Sequence, residues 1–461
     1  MHMLCLCFVV RWVTYERSKV NFLIHSLSAQ TDRNYCAFAQ LLVLRENVLP
    51  DCNNCKIMTL IFELLKIIVG TQREFSVAPS QKEWKQLFLF LQQQSLLGVA
   101  MPMLKTLPRE QCPTGDLPLV WYTLGDRLRL MNVDLNRKCV EVSQWFEEYG
   151  FHTCILKGQG NAAMYPDSSL RNSGDIDVWL WPRTDNGQRT TDNGQRTTVS
   201  GQRSTVNGQR TMVSGEGGTG TLLPKTSLKK RREEILKFVR ASLGEQDVFY
   251  HHVDFPMFEG TEVEVHFMPT WMNSYFNNNK LQRFLEAEAE ASFSNETSIG
   301  EGQVIHTPTW VMNVVFQLIH IQKHLFAEGI GLRQVMDYYY LLLRRGSEDE
   351  CQKVLDVVHD LGLDTFLASL QWVLQQVFGM KDEYLIGTTD KENGALLLGE
   401  ILSGGNFGKF GANSGIGDSE RLLVRMTKKL RRGWNFRHLV RDEVLWMPLF
   451  KTWQYFWRKM V

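Results

Sequence analysis

The sequence predicts an α+β protein, a sheet flanked by N- and C-terminal helical regions, and three observations carry that prediction. Tracts of helical period occupy 83–106 and 119–149 on one side of the chain's middle and run from Thr309 to Arg344 on the other. Between them lie short runs of strand length, one reading as a buried strand at 151–156 and two enclosing regularly spaced acids at 175–182 and 261–267. The composition is that of a folded chain: 461 residues, 44 % hydrophobic and 22 % charged, a length that suits two to three domains. Lys plus Arg (51) nearly balance Asp plus Glu (50), so no overall field selects a polyanionic or acidic partner. No apolar stretch reaches the roughly 20 residues that span a bilayer.

In chain order, residues 1–57 differ in character from the rest of the chain. They hold five of the nine cysteines (Cys5, Cys7, Cys36, Cys52, Cys55) and show no sustained period. The apolar opening is interrupted at Arg11 and has neither a basic n-region nor a small-residue cleavage site, which argues against a secretory signal. At Met58 an amphipathic pattern begins, apolar at 60, 61, 64, 67 and 68. The expectation is that Met58 is the native start and that 1–57 is a non-native upstream extension or disordered. Cys52-Asn-Asn-Cys55 has zinc-knuckle spacing, but no second pair supplies four ligands. An odd, unpatterned set of cysteines points to reduced thiols and a cytoplasmic protein.

Residues 58–148 are expected to form an N-terminal helical region, with Trp84, Leu87, Leu91, Leu96 and Leu97 on one helix of it, layered against the sheet. The core follows at 149–300 and a C-terminal helical region at 301–461. The core is interrupted at 184–220. Four heptads from Thr184 to Thr211 carry Gly-Gln-Arg in every copy and at most one Val each. A coiled coil needs two apolar positions per heptad. This repeat buries too little to offset its chain entropy and is expected to be a disordered insertion. A helix is predicted after it, at about Lys229–Gly244.

The chemistry concentrates around that insertion. The strand at 151–156 runs into Lys157-Gly158-Gln159-Gly160, a glycine turn opening a helix at Asn161–Tyr165; free N–H groups and a lysine there suit a phosphate. Arg171-Asn-Ser-Gly174 then leads into Asp175-Ile-Asp177-Val-Trp-Leu180. Residues two apart share a strand face, so Asp175 and Asp177 converge, and two such acids repel unless a cation lies between them. In Thr261-Glu-Val-Glu264-Val-His266 the same alternation aligns Glu262, Glu264 and His266. Acids on an inner sheet face are costly unless they hold metal or are otherwise satisfied.

This order of elements resembles the DNA polymerase β-like nucleotidyltransferase superfamily. More closely, Leu156-Lys-Gly158, Tyr165-Pro166, Arg171, Gly174-Asp-Ile-Asp177, Glu264-Val-His266, His320-x-x-x-His324 and Gly331-Leu-Arg333-x-x-x-Asp337 look like a bacterial family of uncharacterised nucleotidyltransferases. The likeness runs from about Met58 to the C-terminus, interrupted by the repeat. It implies a mixed sheet and transfer of NMP from an NTP to a hydroxyl acceptor with release of pyrophosphate. The acceptor would be a small molecule, an RNA end or a protein. It further implies that Asp175 and Asp177 hold two Mg²⁺ ions (or Mn²⁺), that Glu264 completes the catalytic site, and that Lys157, Gly158 and Arg171 hold the β- and γ-phosphates. Lys157-Gly158 stands where the wider superfamily usually has Gly-Ser. His266 is a candidate base or supporting partner of the carboxylates. The alternative is a catalytically inactive nucleotide-binding or accessory module with the same fold.

Among the later helices, His320 and His324 share a face at metal-ligand spacing, but the Glu of a metalloprotease motif is missing. Packing against the cleft or contacting substrate is the favoured role. Arg333 is a candidate nucleotide ligand, or the partner of Asp337 in an i,i+4 surface pair. The glycine-rich stretch at 403–411 lacks a Walker signature and reads as a loop. Residues 421–461 hold eleven Lys/Arg, two acids and four Trp, which suits a membrane surface or a nucleic-acid backbone, or helices packing Trp inward.

Overall fold

The described residues open on α1 (Asn53–Ile68), α2 (Gln81–Gln93) and, further on, the 32-residue α3 (Leu117–Glu148). The structure is a computed structural model that describes residues 53–172, 174–183, 223, 226–327, 329–404 and 433–459. Residues 1–52, the heptad repeat, and 405–432 with their glycine-rich and basic sequence lie outside the described residues. So does Cys52 of the zinc-knuckle spacing. The helix expected from Met58 opens at Asn53.

The tract expected as one helix over 83–106 is broken. A capping box between Ser80 and Glu83 starts α2, but the chain turns at Ser95 (φ 57°), and a four-residue helix and a 3₁₀ segment at Met101–Lys105 follow. A tertiary bond accompanies the break: buried Gln94 accepts from the Leu332 N–H at 2.7 Å. Pro102 then suits the opening of the tighter 3₁₀ turn.

After α3 come β1 (Phe151–Ile155), the short helix α4 (Gln159–Ala162) and β2 (Ile176–Pro182). Beyond the insertion lie α5 (Leu228–Leu243), β3 (His252–Phe258) and β4 (Thr261–His266). The four strands form one mixed sheet in the order β1-β2-β4-β3, with β2 parallel to β4 and the outer pairs antiparallel. Period-two alternation gives the sheet two different faces. Ile155, Val178, Leu180, Val253, Val263 and Val265 pack with Leu135, Val142 and Phe146 of α3 and Ile235 and Val239 of α5. The opposite face carries Trp179 and Trp181 against Phe293, and beside them the acids and histidines.

α6 (Tyr275–Phe293), capped by Ser274, leads to a hairpin of β5 (Glu296–Gly300) and β6 (Gln303–His306), which straddles the boundary expected at 300. Further helices among the described residues are α7 (Trp310–Ala327), α8 (Leu332–Leu343), α9 (Glu348–Asp360), α10 (Asp364–Phe378), α11 (Lys391–Gly404) and α12 (Arg441–Trp457). Of the N-terminal helices, α3 is the one layered on the sheet's apolar face. α1 instead joins a core shared with the C-terminal helices, and Thr71 just beyond it donates to the Phe378 carbonyl at 2.6 Å. Cys112, Cys139, Cys154 and Cys351 are free thiols, and no described helix is long and apolar enough to cross a membrane.

Candidate active site

The turn after β1 places the first functional side chain. Leu156 still donates to the Asp177 carbonyl (3.0 Å), and the chain then reverses at Gly158 with φ 64° and ψ −110°. A Cβ at Gly158 would stand 3.2 Å from the Asp175 carbonyl oxygen, so both the conformation and the close approach call for glycine. α4 is only four residues long, so the helix-dipole support expected from a longer helix at 161–165 is small. Lys157 lies 3.1 Å from Asp177 Oδ1 and 3.7 Å from Asp175 Oδ2.

The parallel register of β2 and β4 pairs Asp177 with Glu264. One oxygen each from Asp175, Asp177 and Glu264 lie within 4.8 Å of one another. Asp177 forms the buried floor, while Asp175 (40 % exposed) and Glu264 (30 %) stand at the mouth. Glu262 is exposed. His266, one period along β4, lies with Nε2 3.0 Å from Asp177 Oδ1 and 3.3 Å from Glu264 Oε2. Burial opposes charge on His266, but hydrogen bonds to these two carboxylates outweigh it and raise its pKa. Burial likewise opposes ionisation of Glu264; the hydrogen bond from His266 and nearby positive charges win and lower its pKa to about 2. Lys157 is desolvated too, yet Asp177 and Asp175 raise its pKa and keep it an ammonium. Asp177 Oδ2 is buried and accepts no hydrogen bond among the described residues. Three convergent carboxylates, one with an oxygen left open, are a donor set that fits Mg²⁺ or Mn²⁺.

Arg171, expected to hold phosphate, is buried and faces an acid of α8. Its guanidinium makes a bidentate pair with Asp337 (Nε–Oδ1 and Nη2–Oδ2, both 2.7 Å). The Tyr165 hydroxyl donates to the same carboxylate at 2.7 Å, and Asn161 from α4 donates at 3.3 Å. Burial opposes this charge pair, but the Arg171 charge and hydrogen bond lower the Asp337 pKa. The i,i+4 pair expected at the surface is not found there, because Asp337 is buried; half-buried Arg333 donates to the Asn172 carbonyl at 2.9 Å, bracing the segment before Asp175.

His320 and His324 touch each other (Nε2–Nε2 3.1 Å), with the His320 ring stacked on Phe316. No third ligand joins them in a metal-sized group among the described residues. Burial, then the neighbouring charges of His324 and Lys157, push the His320 pKa well down.

Sequence reasoning missed His251 and His252, which stand just before β3 and at its start, within reach of Glu264 and His266. It also missed Lys323 of α7, whose ammonium lies over the Trp271 ring. The described tail divides its tryptophans: Trp457 is buried, while Trp434 and Trp453 are exposed. The α12 helix is pinned by Glu443, which accepts from the backbone N–H groups of Asn273 (2.7 Å) and Ser274 (2.9 Å).

A glycine turn with a lysine after one strand, an Asp-x-Asp pair on the next and a third carboxylate on its parallel neighbour define a nucleotidyltransferase-like site on an α+β fold. Residues 80–191 and 220–379, more than half of the chain, match the model of a family described as uncharacterised nucleotidyltransferase, and the chain belongs to that family. No curated protein matches the chain.

Proposed function

We propose that this nucleotidyltransferase transfers NMP from an NTP to a hydroxyl acceptor and releases pyrophosphate, using Mg²⁺ or Mn²⁺, in the cytoplasm. The observation that carries the reading is the meeting of Asp177 and Glu264 across adjacent parallel strands, with Asp175 at the rim. Asp175 and Asp177 would hold two ions and Glu264 would complete one of the sites. Divalent ions bound there would lower the pKa of the acceptor hydroxyl and neutralise charge on the α-phosphate and the departing pyrophosphate.

The chain's own groups do the rest. Lys157 supplies a positive charge for the β- and γ-phosphates, and the Gly158 backbone lets that phosphate chain come close. His266 orients both Asp177 and Glu264 through one nitrogen. Arg171, held by Asp337, is a positioning residue: with Tyr165 and Asn161 it fixes the turn that presents Lys157. The acceptor is a small molecule, an RNA end or a protein hydroxyl.

The test is incubation of the purified chain with each α-labelled NTP, Mg²⁺ and a cell extract, reading pyrophosphate release and NMP-bearing products by mass spectrometry. Label should enter a product with the native chain and not with the Asp175→Asn, Asp177→Asn double variant. Absence of transfer with every NTP, or equal transfer by the variant, would reject the proposal.

A further inference from the structure

A second cluster lies beside the carboxylates, and its chemistry differs. The β3–β4 register sets His252 opposite His266 and Asp254 opposite Glu264, and His251 precedes His252 at the strand's edge. One nitrogen each from His251, His252 and His266 and one oxygen of Glu264 fall within 4.8 Å of one another. Neighbouring donors are 3.1 Å apart for His251 Nε2 and His252 Nδ1. The spacing is 3.3 Å for His266 Nε2 and Glu264 Oε2, and 3.7 Å for His252 Nδ1 and Glu264 Oε2.

From these groups we propose that His251, His252, His266 and Glu264 form a tetrahedral site for one borderline transition-metal ion of the zinc class, separate from the Asp175–Asp177 site. An ion with bonds of about 2.0–2.1 Å to nitrogen and oxygen sets tetrahedral donors about 3.3–3.4 Å apart, and the three spacings bracket that value. Three imidazoles and one carboxylate select Zn²⁺ or its neighbours over Mg²⁺, which keeps oxygen ligands and water.

An independent feature supports the assignment. The other nitrogen of His252, Nε2, lies 3.2 Å from Asp254 Oδ1, the carboxylate–histidine arrangement that orients a metal-bound imidazole. Aromatic rings hold the ligands in place: Phe249 stacks on His252 at 4.6 Å and Trp271 packs on His251 at 4.1 Å. Glu264 and His266 belong to both clusters. With no ion bound, His266 Nε2 is the hydrogen-bond partner of the carboxylates; on binding the ion that nitrogen gives up its proton and becomes a ligand, while the metal takes over the orienting of Glu264.

Co²⁺ alone serves as the probe, because its tetrahedral complexes have intense visible ligand-field bands. Titration of the EDTA-stripped full chain should give one such tetrahedral Co²⁺ per chain, with the bands bleached by Zn²⁺. Asp175→Asn should leave the titration unchanged. Asp254→Asn, a near-isosteric change at a half-exposed residue, should weaken it about 10–100-fold, the usual cost of losing an outer-sphere partner, with far-UV circular dichroism unchanged. His251→Ala and His252→Ala should weaken it further, with far-UV circular dichroism unchanged. Weak octahedral spectra, a titration indifferent to His251, His252 and Asp254, or bands lost with Asp175→Asn would each overturn the proposal. Loss of nucleotidyl transfer with the Co²⁺ bands intact would count against the proposed function and leave this site standing.

Discussion

Replacing Asp337 by Asn separates two roles for Arg171. The two side chains are 5 % and 4 % exposed, and the variant removes the negative charge while nearly preserving volume. The Asn oxygen can still accept from Arg171 Nε and Tyr165, but its amide hydrogens then face the Nη2 and Asn161 donors that Oδ2 now satisfies. Breaking a buried pair by removing one charge costs about 3–5 kcal/mol. At about 2 °C per kcal/mol for a large domain, Tm should fall by roughly 6–10 °C. Because Asn161 sits one turn beyond Gly158, transfer activity should fall too. Scanning calorimetry and pyrophosphate release measure the two effects. A Tm loss below about 2 °C, with KM for NTP raised and the fold intact, would refute the reasoning and return Arg171 to the phosphates. The sign of the pH dependence comes from the lowered pKa of Asp337. The pair's contribution is complete above the unfolded carboxyl value, about 3.9, and is lost as pH falls through the lower folded value. Acid unfolding of the variant should therefore be less steep below about pH 4.

Lys157→Ala should weaken a non-hydrolysable NTP analogue about ten- to a hundred-fold, the worth of one hydrogen bond to a charged group; equal affinities in titration would assign phosphate binding to the Gly158 backbone. Gly158→Ala should cost about 1–3 kcal/mol of strain and displace Asp175, so kcat falls with an unchanged circular dichroism spectrum; an unaltered kcat would mean that the turn relaxes freely. Deleting residues 192–219, which the family match skips, should shift Tm and activity little, since each doubling of loop length costs only about 0.6 kcal/mol. A collapse in either would mean that the segment makes contacts the rest of the fold needs.

The carboxylates were legible because strands obey a period of two: Asp175 with Asp177, and Glu264 with His266, are local patterns. What failed was register and long-range pairing. The tight turn at Glu259–Gly260 (φ 47° and 81°) pairs Phe258 with Thr261, and an unbroken hairpin from there would set His252 opposite Phe267. The ladder shifts by one between Phe255 and Phe258, across Pro256, and this bulge brings His252 opposite His266 instead. A one-residue slip changes the face of every side chain beyond it, so no motif search would have assembled the histidines. Arg171 and Asp337 meet across 166 residues of sequence, and only the packing of α8 reveals the pair. The expected long helix over 83–106 failed for a related reason, since a buried Gln94 contact to α8 accompanies the turn that hydrophobic period alone does not show.

The charges in the cleft also explain why a lysine can stand at the turn proposed to bind phosphate. Asp177 Oδ1 receives Lys157 Nζ at 3.1 Å and His266 Nε2 at 3.0 Å, while Oδ2 has no hydrogen-bond partner among the described residues. Lys157 thus neutralises part of a carboxylate cluster that would otherwise repel itself. A cation among those carboxylates would meet the ammonium as a like charge. At about 4 Å and an effective dielectric near 20, each unit of charge contributes about 4 kcal/mol of repulsion. An off-rotamer side chain costs only about 0.5–1.5 kcal/mol, so reorientation of Lys157 is the cheaper response. In the proposed reaction its counter-charge would then be the triphosphate. One residue would therefore stabilise the acids before substrate arrives and hold the phosphates afterwards, which a serine in the same turn, having no charge, could not do.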